Sequence, residues 1–272
     1  MTRASLDRRL AVVATRLAAV YGRPRRRLSD PLSGLVETVL SQNTSDVNSG
    51  RAYASLRAAF PTWEALAAAQ PARIESVIRS GGLARLKSRR LASLLAAVKQ
   101  REGRYDLRCL RRLTPEQADA RLRGLPGVGP KTRACVLLFC CGHPAFPVDT
   151  HVHRVSLRLG LLSPKTDAAK AHQLLAPAVP VGRHLDLHLN LIRLGREVCR
   201  AREPRCALCP LVAGCEHARP SNCAHQAEKP GRPHHIPHVR VHHVVRTRRV
   251  RIGCCRRKPH GQTGVHGASR RV

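Results

Sequence analysis

The chain is short of aromatic rings, of acid and of long apolar runs. Aromatic residues make up 3% of its 272 residues, with three Phe, three Tyr and one Trp. A core of that composition must be built from Leu, Val and Ala, which favours an all-helical protein. The longest uninterrupted apolar stretch, Ala134 to Cys141, falls far below the roughly eighteen residues that a membrane span needs. Arg16 breaks the N-terminal apolar run, which argues against a signal peptide, so the chain reads as cytoplasmic with no membrane association. Acidic residues number 17 against 49 Lys and Arg, a formal net charge of +32. So large an excess calls for a polyanionic partner rather than an ordinary solvated surface. Residues 221–272 hold twelve basic residues against one acidic, yet the remainder is strongly basic as well.

Cysteine is plentiful: eleven residues, an odd number, in a chain without a secretion signal. Metal binding or buried thiols fit that usage better than a disulfide framework. The length admits one large domain or two ordinary ones. A helical stripe begins after Ser5 with Leu6, Leu10, Val13, Leu17 and Val20, and stops at Gly22. Asp30 followed by Pro31 opens the next helix, which ends near Ser41. Further helices are expected over 46–60, 62–69, 71–80 and 87–101, then from Thr114 to Gly124, and over 130–141, 150–159, 167–178 and 184–198. Beyond Pro220 the periodicity fails. Residues 221–272 contain eight of the fifteen histidines and scattered Pro and Gly, the composition of a disordered basic tail.

Three segments carry chemistry. Leu125-Pro126-Gly127-Val128-Gly129-Pro130-Lys131-Thr132 joins two expected helices, and its glycines permit a tight turn whose N–H groups grip a phosphate at a helix start. A plain helix connector is the bland alternative. Lys131 falls in the first helical turn, where the dipole disfavours its protonated form, as an amine nucleophile requires. Eighteen residues on, Pro147-Val148-Asp149-Thr150-His151-Val152-His153-Arg154 puts Asp149 at a helix N-cap, with His151 and His153 as packing or phosphate-facing residues. The third signal is Cys199-x6-Cys206-x2-Cys209-x5-Cys215, four thiolates suited to zinc or to an iron–sulfur cluster.

Together these segments resemble the endonuclease III family of helix-hairpin-helix DNA glycosylases, over about residues 5–217. The resemblance implies an all-α fold of two helical lobes with the active-site cleft between them. Residues 30–143 would form the lobe bearing the hairpin, and 1–29 with 144–220 the second lobe and its metal loop. It implies that Gly127, Val128, Gly129 and Thr132 bind DNA phosphates, that Lys131 attacks the sugar and that Asp149 assists. Cys199, Cys206, Cys209 and Cys215 would hold a [4Fe–4S] cluster, with Arg202 and Arg205 reaching phosphates between them. Cys109, Cys135, Cys140, Cys141, Cys223, Cys254 and Cys255 lie outside the pattern. Leu40-Ser41-Gln42-Asn43-Thr44-Ser45-Asp46 is similar to the segment that fills the gap left by an extruded base, with Gln42 and Asn43 both candidates for the plug. Leu83 matches the intercalating leucine.

The implied activity is base-excision repair by a bifunctional glycosylase and abasic-site lyase, acting as a monomer on double-stranded DNA with damaged pyrimidines or abasic sites. A glycosylase for thymine or uracil opposite guanine is the alternative enzyme on the same fold. A non-catalytic DNA-binding module is the alternative from another class, and the Lys131–Asp149 pair counts against it.

Overall fold

The computed structural model describes residues 2–219. The basic tail 221–272, with His234, His235, His242 and His243 as a minor metal-binding candidate, lies outside the described residues. The described residues form helices and no strand: α1 (Arg3–Tyr21), α2 (Pro31–Ser41), α3 (Asp46–Ala59), α4 (Trp63–Ala68), α5 (Pro71–Val77) and α6 (Ala84–Glu102), then α7 (Pro115–Leu122), α8 (Pro130–Val136), α9 (Thr150–Arg158), α10 (Ala168–Leu175) and α11 (His184–Glu197). No helix among them is long and apolar enough to cross a membrane.

Local chemistry explains most boundaries. Asp30 Oδ1 accepts the Ser33 N–H at 2.9 Å and Pro31 fills the first helical position of α2. Thr114 and Gln117 form a reciprocal capping box at the start of α7. Where the expected helices run long, the backbone tightens or widens instead of stopping. The expected 71–80 helix ends at Val77 and passes into a 3₁₀ turn at Arg79–Gly81, and α8 continues through a π-helical turn at Leu137–Cys141. The expected 87–101 helix starts earlier, at Ala84, directly after the left-handed Leu83.

Buried apolar residues gather in two clusters. The first runs from Leu32 to Cys141 and includes Leu35, Leu56, Leu91, Leu94 and Val136. The second joins Leu6, Leu10 and Leu17 of α1 to Phe146, Val152, Leu187 and Leu191. The chain therefore leaves the second cluster after α1, builds the first, and returns at Phe146. Gly34 of α2 lies against the π turn following α8, and a Cβ there would collide with the Cys140 sulfur. Gly34→Ala should cost about 1–3 kcal/mol through overpacking. Adding Cys140→Ala should recover part of the loss in a thermal melt, and full stability of the single variant would contradict this packing.

Candidate active site and nucleic-acid interface

The hairpin between α7 and α8 is built on two left-handed glycines, Gly124 (φ +77°) and Gly127 (φ +74°). Val128 is turned inward into the first cluster, whereas Gly127 and Gly129 are exposed. Gly129 caps α8 without any side-chain hydrogen bond, so the first-turn N–H groups of α8 are offered to an outside anion. The Thr132 side chain is buried, with its hydroxyl 3.5 Å from Gln42 Nε2, which leaves its backbone N–H as the group at the start of α8.

Lys131 is half-buried in the first turn of α8 and makes no ion pair among the described residues. Asp149 does cap α9, its Oδ1 accepting the Val152 N–H at 2.7 Å. Capping leaves the second carboxylate oxygen without a hydrogen bond among the described residues. Lys131 and Asp149 both act on the same two buried groups. Burial pushes the Cys135 thiol up to about 11, with Lys131 pulling it down and Asp149 adding to the rise. Burial holds the His188 imidazole well below the ordinary histidine range, opposed by Asp149 and reinforced by Lys131. Lys131 and Asp149 thus both lie near the buried Cys135 and His188.

The loop carrying Asp149 hangs from two such imidazoles. The Val148 N–H donates to His172 Nε2 at 3.4 Å, and the His172 ring also bonds the Phe146 backbone. His188 bonds the Pro147 backbone, and its ring meets Phe139 at 5.6 Å and Phe146 at 6.0 Å. His188 Nδ1 is buried without a partner among the described residues. His151 and His153 are packing residues here: His151 Nδ1 faces Arg154 at 3.2 Å, and a His153 ring nitrogen pairs with the Thr166 carbonyl at 2.8 Å.

The segments similar to the plug and the wedge lie beside the hairpin. Gln42 is committed to it, donating to the Gly127 carbonyl at 3.1 Å while its Oε1 accepts from Arg90 at 2.9 Å. Asn43 is exposed and left-handed, with φ +53°. Leu83 is 52% exposed and also left-handed, with φ +49°. An apolar side chain in that conformation costs about 1–2 kcal/mol and is retained where function uses it. Lys87, by contrast, is only 1% exposed and donates from Nζ to the carbonyls of Leu40 and Gly81, each at 2.7 Å.

Cys199, Cys206, Cys209 and Cys215 line one cavity together with Arg158, Leu194 and Val198. Burial pushes the Cys209 thiol up to about 11, and Cys199, Cys215 and Cys206 add to the rise. No group of three or more His, Cys, Asp or Glu among the described residues is placed to hold a single metal ion. Four thiols around one cavity are a donor set that suits either zinc or an iron–sulfur cluster. Arg158 donates to Cys199 Sγ at 3.4 Å, bringing positive charge to the donor set. Arg202 and Arg205 are exposed on the same loop. The thiols of Cys140 and Cys141 are buried in the first cluster and pushed up to about 12 and 11, as befits inert packing groups.

Residues 36–180 match the model of the HhH-GPD superfamily of base excision DNA repair proteins. The chain belongs to that superfamily, in its endonuclease III family. It is 32% identical over 191 residues to endonuclease III of Thermotoga maritima, covering 70% of this chain and 85% of that protein. It is 41% identical over 165 residues to an Arabidopsis thaliana protein named as a DNA glycosylase, but spans only 56% of that protein's length. A non-covalent endonuclease III–DNA complex superposes with a TM-score of 0.67 at 28% identity, over 80% of this chain and 97% of that one. A thermostable thymine-DNA glycosylase shares the fold at TM-score 0.65 and 22% identity. The chain is thus a helix-hairpin-helix DNA glycosylase of the base-excision type.

Sequence reasoning missed Glu37 on α2. Its carboxyl is half-buried, has no hydrogen bond among the described residues, and is pushed by burial from 4.5 to about 8. The folded protein holds this proton up to about pH 8, whereas the unfolded chain releases it at its ordinary value. Stability therefore declines as pH rises between those two values. Glu37→Gln, which cannot ionise, should melt higher than the parent at pH 8, with the gap closing toward pH 5. A gap that instead widened on acidification would contradict the assignment.

Proposed function

We propose that this glycosylase removes oxidised pyrimidines from duplex DNA and cleaves the resulting abasic strand through a Schiff base on Lys131. The observation that carries the reading is the placement of Lys131 in the first turn of α8, directly after a hairpin whose N–H groups are open to a phosphate, with Asp149 at the N-cap of α9 acting on the same two buried groups. Gly127 and Gly129 admit the backbone of the DNA closely, and the N–H groups of the first turn of α8 bind its phosphate. Leu83 wedges into the stack and Asn43 fills the gap left by the extruded base; Gln42, tied to the hairpin, serves as the anchor of that segment.

The amine of Lys131 attacks C1′ of the deoxyribose as the N-glycosidic bond breaks, and the bonding pair leaves with the base, which takes up a proton from water. The Asp149 carboxylate stabilises the positive charge that develops on the sugar and accepts the proton shed by the lysine nitrogen. The nitrogen lone pair then breaks the C1′–O4′ bond, O4′ takes up the proton held by Asp149, and an iminium forms between Lys131 and C1′. The iminium acidifies C2′–H; loss of that proton expels the 3′ phosphate, and water then releases the lysine.

The four cysteines would hold a [4Fe–4S] cluster that ties the 199–215 loop and aims Arg202 and Arg205 at phosphates. Arg158 also donates to the carbonyls of Arg200 and Ala201, so this loop is bound to α9 and through it to Asp149.

Duplexes carrying an oxidised pyrimidine, or thymine or uracil opposite guanine, should be compared for base release and for strand scission on the 3′ side. Oxidised pyrimidines should react fastest, with both events at one enzyme. Asp149→Asn should fold and bind DNA but release base at least about 100-fold more slowly. Preference for the guanine mispairs would establish the mismatch reading instead, and base release without scission would refute the lysine mechanism.

A further inference from the structure

Lys87 is a buried cation with no acidic partner: its Nζ forms no ion pair among the described residues and is spent on two backbone carbonyls. A buried ammonium is costly, and a structure retains it where its hydrogen bonds fix something that apolar packing cannot. Here the two acceptors come from different places in the chain. The Leu40 carbonyl lies in the last turn of α2, where helix geometry leaves carbonyls without partners, just before Gln42 and Asn43. The Gly81 carbonyl belongs to the 3₁₀ turn that ends in Gly82 and Leu83.

Both segments are conformationally unusual. Asn43, Gly82 and Leu83 all have positive φ, and the two non-glycine residues would relax to ordinary backbone if nothing held them. Gly81 is pressed against α3, where an added Cβ would come within 2.9 Å of Ala52 Cβ, so the turn has little room to shift on that side. Lys87 holds the turn by the Gly81 carbonyl. Its stem rises from α6, whose first residue follows Leu83, so a single side chain spans the base of both loops.

We propose that Lys87 is a positioning residue that locks the two duplex-invading loops, around Asn43 and around Leu83, into one rigid unit. The proposal rests on the reading of Asn43 as plug and Leu83 as wedge. A bidentate clamp on two backbones delivers both side chains to the stack in fixed relation, so that opening the duplex and filling the gap are one event. Its contribution falls on base extrusion, and it touches neither the sugar nor the reacting atoms.

The test uses the full-length protein with Lys87→Met, which keeps the stem and removes the donors. Base release from an oxidised pyrimidine in duplex should fall at least about tenfold in single turnover, while scission of a preformed abasic site, which has no base to extrude, should change less than about threefold. Fluorescence of 2-aminopurine beside the lesion, which reads stack opening without chemistry, should fall in parallel. In a Leu83→Ala background the same substitution should cost less than it does in the parent, because only the Asn43 loop is then left for the clamp to deliver. Lys87→Gln, retaining one amide donor, should lie between parent and Lys87→Met in all three measurements, and it serves if Lys87→Met melts below the assay temperature. Equal losses on both substrates, or full additivity with Leu83→Ala, would overturn the proposal and leave Lys87 a general structural residue. A parent protein that neither opens the stack nor releases a base would refute the glycosylase reading beneath it.

Discussion

Lys131 and Asp149 belong to different halves of the fold, and the site exists only if those halves are held in register. The register is set by neutral imidazoles buried at the seam. His188 of α11 contacts Phe139, which follows α8, and Phe146, which opens the loop to Asp149. His172 of α10 accepts the Val148 N–H from the same loop. A charged ring in either place would have to be desolvated, and burial keeps both neutral even though Asp149 lies near enough to His188 to oppose it. The apolar clusters supply the bulk of the driving force, while these few polar contacts decide where the carboxylate lies.

A second set of bonds extends that register outward. Arg154 of α9 donates to the carbonyls of Gly195 and Cys199 at 2.8 and 3.2 Å, and Arg158 reaches the cysteine loop. The helix capped by Asp149 is therefore fastened along its length to α11 and to the four-cysteine segment. On the opposite side, Gln42 and Arg90 tie the plug segment to the hairpin. The hairpin, the Gln42–Asn43 segment and Lys131 thus sit on one connected frame, with Asp149 brought in from the other half.

Much of this was legible in the residues. The hairpin is legible because its glycines mark a turn, and the Asp149 cap because an acid precedes a helical stripe. The cysteine spacing is likewise a local property. What escaped sequence reading is long-range. Lys87 resembles its neighbours Arg85, Arg89 and Arg90 in a basic helix, and only extending the Leu91, Leu94, Leu95 and Val98 stripe back by one turn shows that it falls on the buried face. Glu37 hides in the same way within the apolar stripe of α2, and His188 within that of α11. The engagement of Gln42 by the Gly127 carbonyl, 85 residues away in sequence, is of the same long-range kind.

The claim at the centre is that covalent chemistry occurs at the hairpin lysine. The most direct measurement is borohydride reduction of the protein mixed with abasic-site DNA, followed by proteolysis and mass spectrometry of the fixed adduct. The account predicts a single deoxyribose-derived adduct on Lys131 and none in a Lys131→Gln protein. An adduct on another amine, or undiminished trapping by Lys131→Gln, would contradict it.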